Sequence, residues 1–183
     1  MKKTLLAVAG ALLLVTLTAC GSDSSDKKDG EVSLTKEEKT VAGNVAKAFS
    51  EGSTGQLTKK ESTCFAETFV DDAGLEDLKA AKLVDEDGQL NQTGATFDED
   101  LSGKFADAFL GCVDYHERQA ADLAEADPKI DEEQLQACLE KEMPNSYVRK
   151  LIVASQVQSA DAVKLGEESN KKLTDCKDGA TAK

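Results

Sequence analysis

Cys112 and His116 stand four residues apart, with Asp114 between them and Glu117 directly after. A thiol and an imidazole about one helical turn apart are the parts of a nucleophile–base pair. Asp114, His116 and Glu117 also offer three donor groups to a metal ion. Neither chemistry is completed by its surroundings. His116 is the single histidine, so the usual zinc sets lack a second imidazole, and one turn of helix brings the three groups only partly together. A cysteine consumed in a disulfide removes the dyad. His116 therefore reads as a surface or rim histidine, with no catalytic residue, no metal site and no cofactor expected.

Two further stretches carry residue types that could do chemistry. In Leu83-Val84-Asp85-Glu86-Asp87-Gly88 the glycine could sit at the sixth position of a calcium loop. That register puts Leu83 where the first carboxylate belongs and Gly94 where the closing glutamate belongs, so the EF-hand pattern fails at both ends. What remains is an acidic turn, with at most a weak irregular cation site around Asp85 to Asp87. Met143-Pro144-Asn145-Ser146-Tyr147 breaks a helix at Pro144, and Asn145 or Ser146 can cap the next one. Tyr147 reads as packed at the corner of a helix hairpin, or else as an aromatic beside a cleft. No nucleophile elbow, Walker loop or dinucleotide fingerprint is present.

The first twenty residues are the most specific signal. Met1-Lys2-Lys3 precedes an apolar run from Leu5 to Leu17 that is short for a membrane span, and Leu17-Thr18-Ala19-Cys20 follows. These four residues resemble the lipobox of bacterial lipoproteins. The resemblance covers residues 1 to about 30 and implies cleavage after Ala19, diacylglycerol on the Cys20 sulfur, and a protein held by lipid on the outer side of the cell membrane. Residues 1–19 are then the signal peptide. The polar stretch over 20–33 reads as a lipidated flexible tether, because it has too little apolar area to offset the entropy of ordering. The helical domain is expected over 34–178, with a disordered tail at 179–183. The acidic, tryptophan-free, alanine-rich style is similar to that of actinobacterial envelope proteins.

Composition narrows the partners. The chain has 35 acidic residues against 22 basic ones, a net charge of −13, and loss of Lys2 and Lys3 with the leader makes it more negative. Nucleic acid is excluded as a partner, since its affinity rests on lysine and arginine neutralising phosphates. A polybasic grip on anionic lipid is excluded for the same reason. Six Phe, two Tyr and no Trp favour closely packed helices over sheets.

Helix starts are written clearly. Thr35 with Glu38, Thr58 with Glu61, and Asp131 with Gln134 are capping boxes, each following an apolar residue, and Phe97-Asp98 opens a further helix more loosely. Apolar stripes follow at helical spacing: Val41, Val45, Ala48 and Phe49; Cys64, Phe65, Thr68 and Phe69; Leu101, Phe105, Ala108, Phe109, Cys112 and Val113; Leu135, Cys138 and Leu139. The reading is an all-α single domain of about seven helices, near 35–50, 58–72, 75–84, 98–124, 131–142, 146–158 and 160–176, with the last two joined as one bent helix as the alternative.

A weak internal repeat organises them. Thr58-x5-Cys64-Phe65-x3-Phe69 parallels Asp131-x6-Cys138-Leu139-x3-Met143, and Phe109-x2-Cys112-x-Asp114 parallels Leu173-x2-Cys176-x-Asp178. Four cysteines in an exported chain form two disulfides and allow three pairings. The repeat favours Cys64–Cys112 and Cys138–Cys176, each joining a helix to the next but one. No Cys-x-x-Cys occurs, which argues against a thioredoxin-like redox site.

Together these features describe a lipid-anchored binding or interaction module of the cell envelope rather than an enzyme. Its partners are the membrane, through Cys20, and an envelope protein or small ligand. The competing reading is a carrier holding a small apolar ligand in an interhelical cavity. Replacing Cys20→Ala is expected to leave unlipidated precursor or to release the protein from membranes. Unchanged labelling by a radioactive fatty acid would overturn the lipobox assignment.

Overall fold

A computed structural model describes residues 33–51, 57–91 and 94–181. The signal peptide, Cys20 and all of the expected tether except Ser33 lie outside the described residues. Among those described there are eight helices and no strand: α1 (Lys36–Glu51), α2 (Lys59–Ala73), α3 (Leu75–Ala80), α4 (Glu99–Cys112), α5 (Tyr115–Ala126), α6 (Glu132–Glu142), α7 (Asn145–Gln156) and α8 (Asp161–Ala180).

The caps form as their residue types require. The Thr58 hydroxyl accepts from the Glu61 amide at 3.2 Å while the Glu61 carboxylate accepts from the Thr58 amide at 2.7 Å, so two backbone donors are satisfied reciprocally. Thr35 and Glu38 do the same at the start of α1. Asp98 and Asp131 cap α4 and α6 through the amides three residues on. At α6 the reciprocal Gln134 side chain bonds the Asp131 carboxylate instead of its amide, because that amide already donates to the Ala180 carbonyl.

Two helix boundaries differ from the periodicity. The expected helix over 98–124 is two helices, α4 and α5, separated by an extended elbow at Val113-Asp114. Val113 is 3 % exposed and buries into the first core, whereas Ala120 buries into the second. One straight helix cannot present both to different cores. The helix expected over 75–84 ends at Ala80, where Lys82 adopts φ +57° and the Leu83 amide returns to the Leu78 carbonyl. Gln158 at φ +50° separates α7 from α8, so the last two helices are not one bent helix. The tail is also corrected. Helix α8 continues to Ala180, which is buried, and Thr181 pairs with Ile130.

The two-unit plan holds. Helices α1 to α4 enclose one apolar core and α5 to α8 enclose another. Residues matched by the repeat take matching positions: Phe65 and Leu139 are fully buried, as are Phe69 and Met143. Cys64–Cys112 ties α2 to α4 and Cys138–Cys176 ties α6 to α8, the pairing the repeat favours. Sequence separations of 48 and 38 residues correspond to about 4 kcal/mol each by loop-closure entropy, less where the unfolded chain keeps structure. The units differ in filling. All six Phe belong to the first core, with Phe105 meeting Phe49, Phe65, Phe69 and Phe97 at centroid distances of 5.0 to 6.1 Å. Both Tyr belong to the second.

Helix α4 packs on α7 across the seam between the units. The chain's two arginines reinforce that seam. Arg149 on α7 forms a two-point pair with Asp107 on α4 at 2.7 and 2.9 Å. A Cβ on Gly103 would stand 2.9 Å from the Arg149 guanidinium, so the glycine leaves room for that side chain to cross. Arg118 on α5 reaches Glu61 on α2 at 3.2 Å. Burial by itself would raise the Glu61 pKa, but the Thr58 hydroxyl and amide together with Arg118 outweigh it and hold the carboxyl below its ordinary 4.5. A carboxyl depressed in the folded state contributes stability that is complete above its unfolded value and is lost as pH falls through the folded one. Glu61→Gln is therefore expected to flatten the loss of stability as pH falls below 4.5, measured by urea melts across that range. An acid limb unchanged by the substitution would contradict this account.

Candidate functional site

The elbow between α4 and α5 faces the corner between α6 and α7, and a cleft of about 550 Å³ lies there. One part of its lining is the last turn of α4 and the start of α5, Leu110 through His116. The other is Glu140 on α6 with Pro144 and Asn145 at the corner. Sequence position alone keeps these segments far apart. They meet because the extended backbone at Val113 and Asp114 turns the chain from α4 into the second unit.

His116 holds the meeting point. The sequence reading placed it at a surface or rim. Instead it is only 6 % exposed, although its ring lines the cleft. Its Nε2 lies 2.7 Å from the Met143 carbonyl oxygen. A carbonyl only accepts, so Nε2 carries the hydrogen. Nδ1 has no hydrogen-bond partner among the described residues. Met143 is itself 1 % exposed and ends α6, so its carbonyl depends on the imidazole for a partner from α5.

The other candidates distribute as follows. Asp114 caps α5, its Oδ1 accepting from the Glu117 amide at 3.0 Å. Cys112 is bonded to Cys64, with the Thr68 hydroxyl 3.8 Å from its sulfur, so no thiolate is available beside His116. Asp114, His116 and Glu117 are not assembled into a metal site. Among the described residues no three His, Cys, Asp or Glu side chains could hold one ion. Asp85 spends its Oδ1 on the amides of Asp87 and Gln89 at 3.0 and 2.8 Å, and Asn44 pins the Gly88 carbonyl of the same turn to α1. This is an acidic turn stitched by its own backbone.

Tyr147 takes the packed position. Its hydroxyl donates to the Leu165 carbonyl at 3.2 Å, and the Lys172 ammonium stands 5.3 Å from its ring centre. Neither Asn145 nor Ser146 caps α7. Pro144 occupies the cap position, with no side-chain bond to the helix start. Tyr115, Glu140 and Asn145 are cleft residues that sequence reasoning did not select as a group. Only the proline break at 144 and the cysteine-bearing end of α4 hinted at two corners. Burial, and to a smaller extent Tyr147, pushes the Tyr115 hydroxyl above the usual phenol range, so it is neutral at physiological pH.

No protein-family model, curated protein or solved structure matches this chain.

The imidazole–carbonyl bond yields a direct expectation. His116→Ala leaves the buried Met143 carbonyl without its α5 donor and is expected to cost about 1–3 kcal/mol in chemical denaturation. His116→Gln, whose amide can still donate, is expected to recover part of that loss. Equal stability of His116→Ala and the parent protein would show that the bond does not hold the two corners.

Proposed function

We propose that this chain is a lipid-anchored, extracytoplasmic binding module of the cell envelope, without enzymatic activity, and that the cleft between its two elbows is its working part. The observation carrying this reading is the cleft itself. It sits at the seam of two disulfide-stapled units and displays polar groups that the fold does not consume. His116 Nδ1 lacks a partner, and Asp114 and Glu140 are exposed at its lining. Rigid helices position these groups on both sides, as recognition sites require.

An enzymatic reading has less support. The cysteine near the histidine is oxidised, and the hydrogen on Nε2 is engaged by a backbone carbonyl. An apolar carrier is also less well supported, because the cleft is open and has two carboxylates in its lining. A lipid on Cys20 would raise the local concentration of the domain at the membrane, so modest affinity for a neighbouring partner suffices.

The test is a photo-cross-linking residue placed at Asn145 in the full chain, expressed in its own cells, with Glu132 at the far end of α6 as control position. A reproducible adduct from position 145 and none from 132, detected by intact mass and peptide sequencing, is the expected result. No adduct at 145, or the same adducts from both positions, would overturn the assignment of the cleft as the working surface.

A further inference from the structure

The lining of the cleft includes two carboxylic side chains, Asp114 and Glu140, and no lysine or arginine. Asp114 uses Oδ1 for the α5 cap, and Glu140 uses Oε1 for the Gln136 amide at 3.0 Å. The second oxygen of each carboxylate accepts from no described residue. His116, more than nine-tenths buried, has an Nδ1 that no described residue bonds.

The end of α4 adds three carbonyl acceptors. Its final amide bond runs from Val113 to the Phe109 carbonyl, so the carbonyls of Leu110, Gly111 and Cys112 are past the last backbone donor of the helix, and all three residues line the cleft. A helix end of this kind carries the negative pole of its dipole and favours a cation. The remaining lining includes the Tyr115 ring, Leu110 and Val113, which suit an apolar stem and the face of an aromatic against a cation.

We propose that the cleft recognises an organic cation on an apolar stem, the lysine or arginine side chain of a partner peptide. This rests on the cleft being the binding site. A bare metal ion does not fit, because the carboxylates and the imidazole do not converge within one coordination sphere. A multi-donor ammonium or guanidinium can span separated acceptors where a single ion cannot. A peptide suits the site better than a free polyamine because the uncapped first amide of α7, at Asn145, supplies a donor for a backbone carbonyl. The net charge of −13 adds a field that draws basic segments toward the surface.

The full chain in neutral detergent is titrated calorimetrically with acetyl-Gly-Arg-Gly-amide, with acetyl-Gly-Gln-Gly-amide as the uncharged peptide and 1,4-diaminobutane as the free polyamine. The arginine peptide is expected to bind, and Asp114→Asn combined with Glu140→Gln to weaken it by about tenfold. Asparagine keeps the α5 cap, so folding, checked by circular dichroism, is preserved. Glu132→Gln combined with Glu133→Gln, which removes the same charge at the far end of α6, is expected to change affinity by less than about twofold.

Equal weakening by both pairs would reduce the effect to the general field and overturn the proposal. Equal binding of the glutamine peptide would overturn the charge recognition, and tighter binding of the diamine would overturn the peptide source. Absence of binding by every probe, with an adduct still forming at Asn145, would sink the cation specificity while leaving the binding module standing. Absence of both would remove the two readings together.

Discussion

The imidazole of His116 and the carbonyl of Met143 meet in a corner where both residues are almost wholly buried. A carbonyl at the end of a helix has no donor of its own, and burying it unpaired costs about 1–3 kcal/mol. The bond from α5 therefore satisfies α6 and also sets the distance between the two places where the chain changes direction. Because Nε2 is committed to the carbonyl, the other nitrogen is left for the cleft, and the wall that holds the site open is the same wall that displays it.

Around that corner the molecule is built as two similar units with different interiors. The first packs interlocking phenylalanines, centred on Phe105, and the second relies on Leu135, Leu139, Met143 and the buried sulfur of Cys176. Each unit has one disulfide between helices that are not consecutive, which compensates for a modest core by restricting the unfolded chain. The seam is another matter. It depends on α4 lying against α7 and on two arginine–carboxylate pairs, both partly open to solvent. Such pairs contribute less than buried contacts and are sensitive to salt.

Charge has two separate roles here. Most acidic residues are solvated and shape only the long-range field. Within the cleft the arrangement is local, with two carboxylic side chains and the last turn of α4 in one lining. Overall composition does not distinguish these two roles, because an acidic count says nothing about which oxygens the fold has already used. Asp85 and Asp114 look alike as letters in an acidic stretch. The first holds the amides of its own turn, while the second caps α5 in the lining of the cleft.

The helical class, the caps at Thr35, Thr58, Asp98 and Asp131, and the pairing of the four cysteines were legible from residue order. Each depends on interactions within a few residues, or on a repeat of spacing that the chain displays directly. The break at Val113 was not legible, since the apolar spacing runs on through Cys112 and Val113 and an aspartate at 114 is equally at home inside an acidic helix or at its cap. Nor were the burial of His116 and the ordering of residues 179–181. His116 meets Met143 from 27 positions away, and Thr181 pairs with Ile130. Local periodicity determines which face of a helix is apolar. Which other segment covers that face, and which polar groups remain open as a result, is settled by contacts between distant parts of the chain.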